Sequence, residues 1–557
     1  MTAALTSGAS PTPPPAATPP AVGTPHAATT PTAPQPTAAT PPHVATPSAT
    51  TPTVPPPHAT THHTRHATPL PRIMIAGGGS GSGKTTLSCA LLALFARRGL
   101  KTSAFKCGPD YIDPMFHRET LNTHSANLDL FMMDEETVRR LLLENSVGRD
   151  IALIEGVMGF YDGVGGNTAD ASSWHLSEAS GTPVLFVENC KGRSLTMAAQ
   201  IKGILEFRRN NIRAVLLNNT SADFFKTLKP AIEKETGLPV AGFLPYMPEC
   251  SIESRHLGLV TAAEIENLRG KIERLADGIE KTVDLDTILS IAASAPSINP
   301  VTAAALPPLM QSAQSVTVML NRSEAANVSK SVSKAVPPPV MKASKMPKRS
   351  KTTRRPRIGV ARDKAFCFYY EDSLNLLKKL GAELVDFSPL AGKSLPSGLN
   401  ALILGGGYPE LYAAQLSENK AMLAAIRKAV NAGIPAIAEC GGFMYLHREL
   451  EGADGKIYSF AGVIDAVCEK KERLVRFGYA EFTANVDNLL RKAGETLRGH
   501  EFHYWDSARS GDSFTAVKPV SGKSWRCIIT TETLFAGFPH FHFCSAPEAA
   551  ERFIKNL

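Results

Sequence analysis

The stretch GGSGSGKT, residues 78–85, restricts the fold of this chain more than any other feature. It matches the pattern G-x-x-x-x-G-K-[ST], and it follows the apolar run RIMIA, which is typical of a buried parallel strand. The residues after it carry apolar side chains at helical spacing as far as Gly99. This order of strand, glycine loop and helix predicts a P-loop domain, in which backbone N–H groups and a helix N-terminus bind phosphate oxygens.

Within that loop, the residue types predict how ATP and Mg²⁺ are bound. Three glycines, Gly78, Gly81 and Gly83, let the backbone approach the phosphates closely. We expect Lys84 to reach the β- and γ-phosphates and the Thr85 hydroxyl to bind Mg²⁺. ATP and Mg²⁺ are therefore the predicted cofactors.

Other polar residues follow predicted strands of the same domain. Glu155 ends the run IALIE, and Asn218 lies in VLLNN. Asp110 and Asp113 lie in FKCGPDYID, after a third apolar run. Because ligands of open α/β sheets bind at the carboxyl ends of the strands, we expect these side chains near the phosphates. Glu155 is suited to bind Mg²⁺, and the Asn218 amide to contact an adenine edge.

Residues 357–440 predict a second parallel sheet. Four apolar runs alternate with helical stretches, and such alternation is typical of βαβ units. The runs are RIGVAR (357–362), AELV (382–385), ALILGGG (401–407) and IPAIAE (434–439). The stretch KAMLAAIRKAVNAG between the last two has its apolar residues on one helical face.

Cys440 lies directly after the last of these runs and directly before two glycines. A cysteine between a strand and a helix has the geometry of a nucleophile elbow. We expect the N–H of Gly441 to face an oxyanion, with Gly407, in the glycine run that ends the neighbouring strand, as the second donor. These features predict a reactive thiol and not the small buried side chain that cysteine more often is.

A cysteine nucleophile needs a base, and four histidines are candidates. His500 and His503 lie in RGHEFHYW, and His540 and His542 lie in FPHFHF. Residues i and i+2 of a strand point to the same face, so alternation alone does not choose between His540 and His542.

Composition divides the chain into four segments. Residues 1–71 hold 19 of the 42 prolines and no Asp or Glu, and we expect a disordered tail because such a segment buries too little apolar surface to offset chain entropy. Residues 291–356 form a second low-complexity stretch, interpreted as a basic linker. The predicted folded domains are therefore residues 72–290 and residues 357–557.

The net charge of +8 belongs to the linker. Residues 322–357 contain eleven Lys or Arg and one Glu, a balance of +10, which leaves about −2 for the rest of the chain. This distribution argues against a nucleic-acid partner, which requires a basic patch on a folded face. The nine cysteines include no C-x-x-C pair, and no apolar run reaches the roughly 18 residues of a membrane span. We therefore expect a cytoplasmic protein.

Taken together, these residues resemble one family of enzymes. The blocks FKCGPDYIDP, EGVMGFYDG, ESRHLGL, ARDKAFCFYY, LGGGYPEL, ECGGFMYL and GHEFHY occur in the order seen in the cobyrinate a,c-diamide synthase family, the glutamine-dependent amidotransferases of corrinoid biosynthesis. The resemblance covers nearly all of residues 72–557 except 270–356. It implies two doubly wound α/β domains: a P-loop NTPase domain similar to dethiobiotin synthetase, and a flavodoxin-like class I glutamine amidotransferase domain.

The resemblance also implies a reaction. L-glutamine would supply ammonia at the thiol, and ATP would phosphorylate the a- and c-side-chain carboxylates of cobyrinate or hydrogenobyrinate, so that ammonia forms amides there. Nickel-sirohydrochlorin a,c-diamide synthase and cobyric acid synthase stay open as alternatives with a related corrinoid or tetrapyrrole substrate. A ParA-like regulatory ATPase with an inactive glutaminase module is a further alternative. The oligomeric state stays open, with a homodimer as one candidate.

The resemblance implies roles for individual residues of the glutaminase half. Cys440 matches the family nucleophile, and His540 matches its base. Two departures from the family pattern concern the same block. Phe538 stands where tyrosine is usual, and His542 stands where many class I glutaminases have the third acid of the triad.

Residues of the ATP-binding half carry over in the same way. The resemblance implies that Asp113 joins Thr85 and Glu155 in binding the metal ion. Asp110 and Asp162 match acidic positions that the family links to substrate activation.

Overall fold

The computed structural model describes residues 70–250, 268–298 and 355–557 of the chain. The predictions of a disordered tail and of a basic linker concern residues that lie almost wholly outside these ranges. Within the ranges, the apolar runs singled out above form strands, and the stretches between them form helices.

Seven strands form the central sheet of the first domain, where apolar runs are buried along their whole length. They are β1 (Arg72–Gly77), β2 (Thr102–Cys107), β3 (His124–Leu128), β4 (Ile151–Glu155), β5 (Val184–Asn189), β6 (Ile212–Asn218) and β7 (Val240–Leu244). Their order across the sheet is β3-β2-β4-β1-β5-β6-β7, and every neighbouring pair is parallel. The strand that leads into the P-loop is thus the central one.

Helices connect these strands or follow the last of them. They are α1 (Lys84–Arg97), α2 (Ile112–Leu121), α3 (Glu135–Glu144), α4 (Ser173–Ser180), α5 (Thr196–Phe207), α6 (Ala222–Thr236), α7 (Leu268–Glu280) and α8 (Leu285–Ala293). In α1 the predicted apolar face is confirmed, because Leu87, Leu91 and Phe95 are fully buried. Gly99 follows this helix with a φ of 76°, the left-handed conformation that commonly ends helices.

The second domain also contains a mainly parallel sheet. The strands of the domain are β8 (Arg357–Ala361), β9 (Phe366–Phe368), β10 (Glu383–Phe387), β11 (Ala401–Leu404), β12 (Gly406–Gly407), β13 (Ala436–Glu439), β14 (His447–Glu451), β15 (Ile457–Ser459), β16 (Ile464–Lys470), β17 (Arg476–Ala484), β18 (Thr496–His503), β19 (Trp505–Ser507), β20 (Phe514–Val517), β21 (Ser524–Cys527), β22 (Ile529–Thr530), β23 (Leu534–Gly537) and β24 (His540–Phe541). The main sheet has the order β10-β8-β11-β13-β23-β22, parallel except for β22. Its five parallel strands follow the 2-1-3-4-5 order of flavodoxin-like folds.

Five helices accompany these strands. They are α9 (Glu371–Lys379), α10 (Ala413–Glu418), α11 (Lys420–Asn431), α12 (Gly441–Tyr445) and α13 (Pro547–Lys555). The predicted amphipathic stretch before the elbow is α11, and Gly433 follows it at a φ of 84°. No helix in the described ranges is long and apolar enough to cross a membrane.

Two further sheets contain strands that follow the elbow, and neither was predicted from the sequence. One has the order β21-β20-β17-β18-β24, and another, of mixed direction, has the order β15-β14-β16-β19. The pairing of β18 with β24 sets His500 directly opposite His540. This register brings two of the four candidate histidines together from positions forty residues apart in the chain.

The described residues of the two domains belong to one compact unit, and polar and aromatic contacts join them. The Tyr479 hydroxyl on β17 donates to Asp129 Oδ2 at 2.9 Å, and the Tyr479 ring stacks on Phe131 with centroids 4.4 Å apart. Burial raises the pKa of Asp129, although the Met132 and Phe131 N–H groups and the tyrosine hydroxyl bond to it. The antiparallel sheet of the second domain therefore lies against the segment that follows β3.

A buried arginine ties the start of β1 to the end of the first domain. Arg72 is fully buried, and its guanidinium donates to the carbonyl oxygens of Leu70, Ser180 and Pro296. Burial lowers the pKa of Arg72 to about 10. Ile298 is also buried in the core of the first domain, so the described core continues past the predicted boundary at residue 290.

We expect Arg72→Met to lower the stability of the first domain by about 3 kcal/mol, because several buried carbonyl oxygens lose their donor at once. Urea unfolding of the variant measures the change. Lys226→Met is the matched control, since it breaks only a surface ion pair with Asp223 and should cost below about 1 kcal/mol. Equal shifts in the two variants would contradict the role given to Arg72.

Candidate active site

Two of the predicted P-loop glycines have backbone conformations that favour glycine. Gly81 and Gly83 have φ values of 78° and 102°, in the left-handed region that favours glycine. A Cβ on Gly83 would also collide with the Asn218 side chain. The Asn218 amide donates to the carbonyl oxygen of Ser82 at 2.9 Å, so this side chain supports the loop. Its contact with adenine stays a prediction.

Lys84 bridges two loops across the phosphate site. Its ammonium donates to the carbonyl oxygens of Gly79 at 2.9 Å and Met158 at 2.7 Å. Burial, together with the nearby charge of Lys106, lowers the pKa of Lys84 to about 8. A desolvated ammonium held by two carbonyl oxygens and, at 3.5 Å, by the Ser82 hydroxyl gains strongly from an anion, which suits a phosphate ligand.

The predicted Asp162 shapes the loop that Lys84 contacts. Its Oδ2 accepts the N–H of Gly159 at 2.8 Å, and its charge lies close enough to act on the lysine. A Cβ on Gly159 would lie 2.5 Å from the same oxygen, so the turn requires glycine.

A buried cluster of charges adjoins the P-loop. Lys106 Nζ lies 2.6 Å from Asp113 Oδ2 and donates to Glu155 Oε1 at 2.9 Å. The Thr85 hydroxyl donates to the same Glu155 oxygen at 2.5 Å, and His117 Nε2 lies 3.6 Å from the other. Burial opposes the charge on Glu155, but Lys106, His117 and Thr85 together lower its pKa to about 2. The structure thus brings together the three predicted metal-binding residues.

The sequence analysis gave His117 no role. Asp113 and His117 are four residues apart in α2, so they share one helix face, and this spacing was the signal available. No role was predicted for Lys106 either, although its ammonium joins both carboxylates.

The oxygen donors of this cluster fit Mg²⁺. The hydroxyl of Thr85 and the carboxylate of Glu155 are hard ligands beside a phosphate loop, and Glu155 Oε2 is buried without a hydrogen-bond partner among the described residues. No group of three or more His, Cys, Asp or Glu side chains within residues 70–250, 268–298 and 355–557 forms a metal cage.

Asp110 lies at the N-terminus of α2, where its Oδ1 accepts the N–H of Ile112 at 2.8 Å. The Asn127 amide donates to the carbonyl oxygens of Asp110 and Gly108 at 2.7 and 2.9 Å. These bonds hold the segment that leads from β2 into α2.

Cys440 adopts a strained backbone conformation between β13 and α12. Its φ is 46° and its ψ is −103°, and a non-glycine residue in such a conformation costs about 1–3 kcal/mol. Two backbone bonds hold it there: its N–H donates to Gly537 and its carbonyl accepts from Met444. The structure therefore contains the predicted elbow, with the strain that is common at functional sites.

Glycines let the backbone close around this elbow. A Cβ on Gly441 would lie 3.0 Å from the Gly407 nitrogen, and a Cβ on Gly442 would collide with the carbonyl oxygen of Leu404. The two predicted oxyanion donors, Gly407 and Gly441, are thus neighbours beside Cys440. Their part in stabilising an oxyanion stays a prediction.

His540 is the histidine that pairs with Cys440. The imidazole interacts with the thiol, and its Nδ1 lies 3.5 Å from Glu439 Oε2. Burial opposes the charge, yet the charges and hydrogen bonds of Cys440 and Glu439 raise the pKa of His540 to about 10. A Cβ on Gly406 would lie 2.5 Å from His540 Cε1, so this glycine makes room for the ring. Glu439 is the acid that the sequence analysis did not find, although it directly precedes the cysteine.

The other three histidines have different partners. His542 Nδ1 accepts the N–H of Cys544 at 3.2 Å, and burial lowers the pKa of His542 to about 3. His503 stacks on Phe538 with centroids 3.9 Å apart, and His500 stacks on His540 at 5.1 Å. Phe538 therefore provides the ring against which His503 stacks.

Two family models match the chain on either side of the linker. The CobQ/CobB/MinD/ParA nucleotide binding domain matches residues 73–260, and the CobB/CobQ-like glutamine amidotransferase domain matches residues 357–548. Three relatives named cobyrinate a,c-diamide synthase match over both domains. The protein of Caldanaerobacter subterraneus subsp. tengcongensis is 34% identical over 487 residues, 87% of this chain and 97% of that protein. Those of Fusobacterium nucleatum subsp. nucleatum and Salmonella typhimurium are 38% and 35% identical, over 84% and 86% of this chain and 97% of each relative.

This chain belongs to the cobyrinate a,c-diamide synthase family. The resemblance drawn from its motifs is thereby confirmed, as is the fold class of two α/β domains. His542 stands where many class I glutaminases have the acid of the triad. In this chain Glu439, at a different position, pairs with His540.

We expect Glu439→Gln to reduce glutaminase kcat/KM, but by less than the roughly 10⁴-fold loss known for a tightly bonded triad carboxylate, because the Nδ1–Oε2 distance of 3.5 Å is long. Removing the carboxylate charge lowers the pKa of His540, so the imidazolium deprotonates earlier as pH rises. The basic limb of the pH profile should move to lower pH. Glu469→Gln, on an exposed part of β16, is the control, and an unmoved basic limb in Glu439→Gln would count against the pairing.

We expect His540→Ala to reduce glutamine-dependent turnover by about 10²–10⁴, the usual loss for a general base, and to leave ammonium-dependent turnover. His542→Ala should have a milder effect, because its ring bonds to Cys544 and stacks on Tyr370. Assays with glutamine and with ammonium chloride measure both variants. The reverse order of effects would show that the base is His542.

Proposed function

We propose that this chain catalyses the ATP- and glutamine-dependent amidation of the a- and c-side-chain carboxylates of cobyrinate or hydrogenobyrinate in cobalamin biosynthesis. The observation that carries the proposal is the presence, in one compact unit, of an activated Cys440–His540 pair and a P-loop site with a buried acidic cluster. Relatives named for this reaction, 34–38% identical over most of the chain, support it. A cytoplasmic location and a homodimer stay predictions.

The thiol half of the proposed reaction begins with glutamine. The Cys440 sulfur attacks the side-chain amide carbon, and the N–H groups of Gly407 and Gly441 stabilise the oxyanion. His540 gives a proton to the leaving nitrogen, which departs as ammonia and leaves a thioester. Water, deprotonated by His540, then hydrolyses the thioester to glutamate and frees the thiol.

The phosphate half activates the carboxylate. A carboxylate of the macrocycle attacks the γ-phosphorus of ATP, and the products are an acyl phosphate and ADP. Lys84 exchanges its two carbonyl partners for phosphate oxygens and so stabilises the charge that develops on them. Ammonia then attacks the acyl carbon, phosphate leaves, and the C–N bond of the amide is formed.

In this proposal Thr85, Glu155 and Asp113 would hold Mg²⁺, which would supply positive charge beside the phosphates. Lys106 stands between the two carboxylates, and its charge helps to lower the pKa of Glu155 beside the P-loop. Asp110 and Asp162 hold the two loops that border the site.

We expect Cys440→Ala and Lys84→Ala to separate the two halves. The first should abolish amidation with glutamine and keep amidation with ammonium chloride, because only the ammonia source is lost. The second should reduce amidation from both nitrogen sources by about 10²–10³, the usual loss of a preorganised charge. Lys101→Ala, an exposed lysine of the same domain, is the control and should behave as wild type.

The substrate itself is tested by mass spectrometry. Purified protein is incubated with ATP, Mg²⁺, glutamine and, in parallel, cobyrinate, hydrogenobyrinate or nickel-sirohydrochlorin. Products in which two carboxylates of cobyrinate or hydrogenobyrinate have become amides support the proposal. Amidation of nickel-sirohydrochlorin alone, or of none of the three, would refute it.

A further inference from the structure

An aromatic ring of the first domain lies against the catalytic histidine of the second. The Tyr111 ring stacks on Phe368 with centroids 4.9 Å apart and an interplanar angle of 7°. Its centroid lies 4.5 Å from that of Tyr370, 5.2 Å from that of His540 and 5.9 Å from that of His500. All four partners belong to the second domain, and Tyr111 is buried among them.

The backbone of the same residue leads directly into the acidic cluster. Tyr111 immediately precedes α2, and Asp113, two residues later, pairs with Lys106. Lys106 in turn bonds to Glu155, which accepts a hydrogen bond from Thr85 of the P-loop. A single short segment therefore contacts the glutaminase base with a side chain and the phosphate site through its next turn.

Resting on the proposed function, we propose that the Tyr111 ring is a closed partition between the thiol site and the phosphate site, and that ammonia passes from one to the other only when this ring moves. Aromatic centroids 4.5–5.2 Å apart correspond to rings in contact, which leave no passage for a molecule the size of water between them. Moving the ring opens the space next to His540.

The groups around the ring suit the passage of a neutral nucleophile. Burial, with the charges of His540 and Lys518, lowers the pKa of His500 well below its ordinary value, and burial does the same for His542. Burial raises the pKa of the Tyr370 hydroxyl. Unlike His540, whose pKa is raised, these neighbours stay neutral, so they offer hydrogen bonds to ammonia without giving it a proton and removing its lone pair.

A ligand bound at the phosphate site can move the Tyr111 ring, because the segment that contains Tyr111 also adjoins that site. Across the domain boundary, the Tyr370 hydroxyl donates to the carbonyl oxygen of Pro109 at 3.4 Å, a long bond that is easily released. Gly108, at a φ of 84°, provides a backbone position with wide conformational freedom just before it. A ligand that binds near Asp113 therefore acts two residues from the partition.

The experiment measures where the amide nitrogen comes from. Wild type and Tyr111→Ala are given glutamine, ATP, Mg²⁺, cobyrinate and ¹⁵N-ammonium in the buffer, and glutamate, amide and isotope content are counted. Wild type should form one glutamate per amide with little ¹⁵N. A closed state favoured by a few kcal/mol leaves roughly 0.1–10% of molecules open, so removing the ring should raise unproductive glutamate formation and ¹⁵N incorporation by about ten-fold.

Two variants test whether the ring itself is responsible. Tyr111→Phe keeps the ring and should keep the wild-type ratio of glutamate to amide. Tyr479→Phe removes a hydrogen bond between the domains but keeps the ring at that position, and it should also keep that ratio. A merely structural role of Tyr111 would lower both product rates together and leave their ratio unchanged.

The outcomes separate this inference from the function on which it rests. A Tyr111→Ala enzyme with the wild-type ratio and isotope content overturns the partition. If that variant does not fold, Phe368→Ala removes the stacking partner of the ring, and a wild-type ratio there overturns the partition in the same way. A wild type that forms no amide from glutamine or ammonium overturns the proposed function, and the inference falls with it.

Discussion

The ammonium of Lys106, shared between the carboxylates of Asp113 and Glu155, is the interaction on which both sites of this protein depend. It joins β2, β4 and the first turn of α2 at the carboxyl edge of one parallel sheet. Through Glu155 it reaches Thr85 of the P-loop. Through α2 it sets the position of Tyr111, and so of the segment that contacts the second domain.

Such a cluster is not a source of stability. Taking charges out of water costs several kcal/mol per ion, and a well-placed partner roughly repays that cost. The low pKa of Glu155 shows that partners prevail over burial at this position, so a carboxylate stays ionised where the phosphate of ATP is proposed to bind. The strained backbone of Cys440 in the second domain is likewise not a source of stability, because strain of this kind is kept where it positions a reactive group.

The two domains use one structural principle twice. In each domain a functional segment joins a central strand of a parallel sheet to a helix. The P-loop leads from β1 into α1, and Cys440 leads from β13 into α12. In the first domain glycines leave room for phosphate oxygens. In the second, glycines let the strand end at Gly407 approach the elbow at Cys440. The antiparallel sheets then bring β24 and its histidine to the thiol and set β17 against the first domain.

Much of the fold and part of the site could be predicted from the sequence, because they depend on neighbours in the chain. Apolar runs, glycines and helical spacing are local signals, and they led to the strands, the P-loop with Lys84 and Thr85, and the elbow at Cys440. Only the tertiary structure decided the rest. The family resemblance already assigned the base to His540, but its pairing with Glu439 about a hundred residues away depends on strand register. The contact of Tyr111 with His540 joins residues more than four hundred positions apart. Long-range pairs of this kind leave no periodic pattern in a single sequence, since what brings them together is the way separate sheets and helices pack.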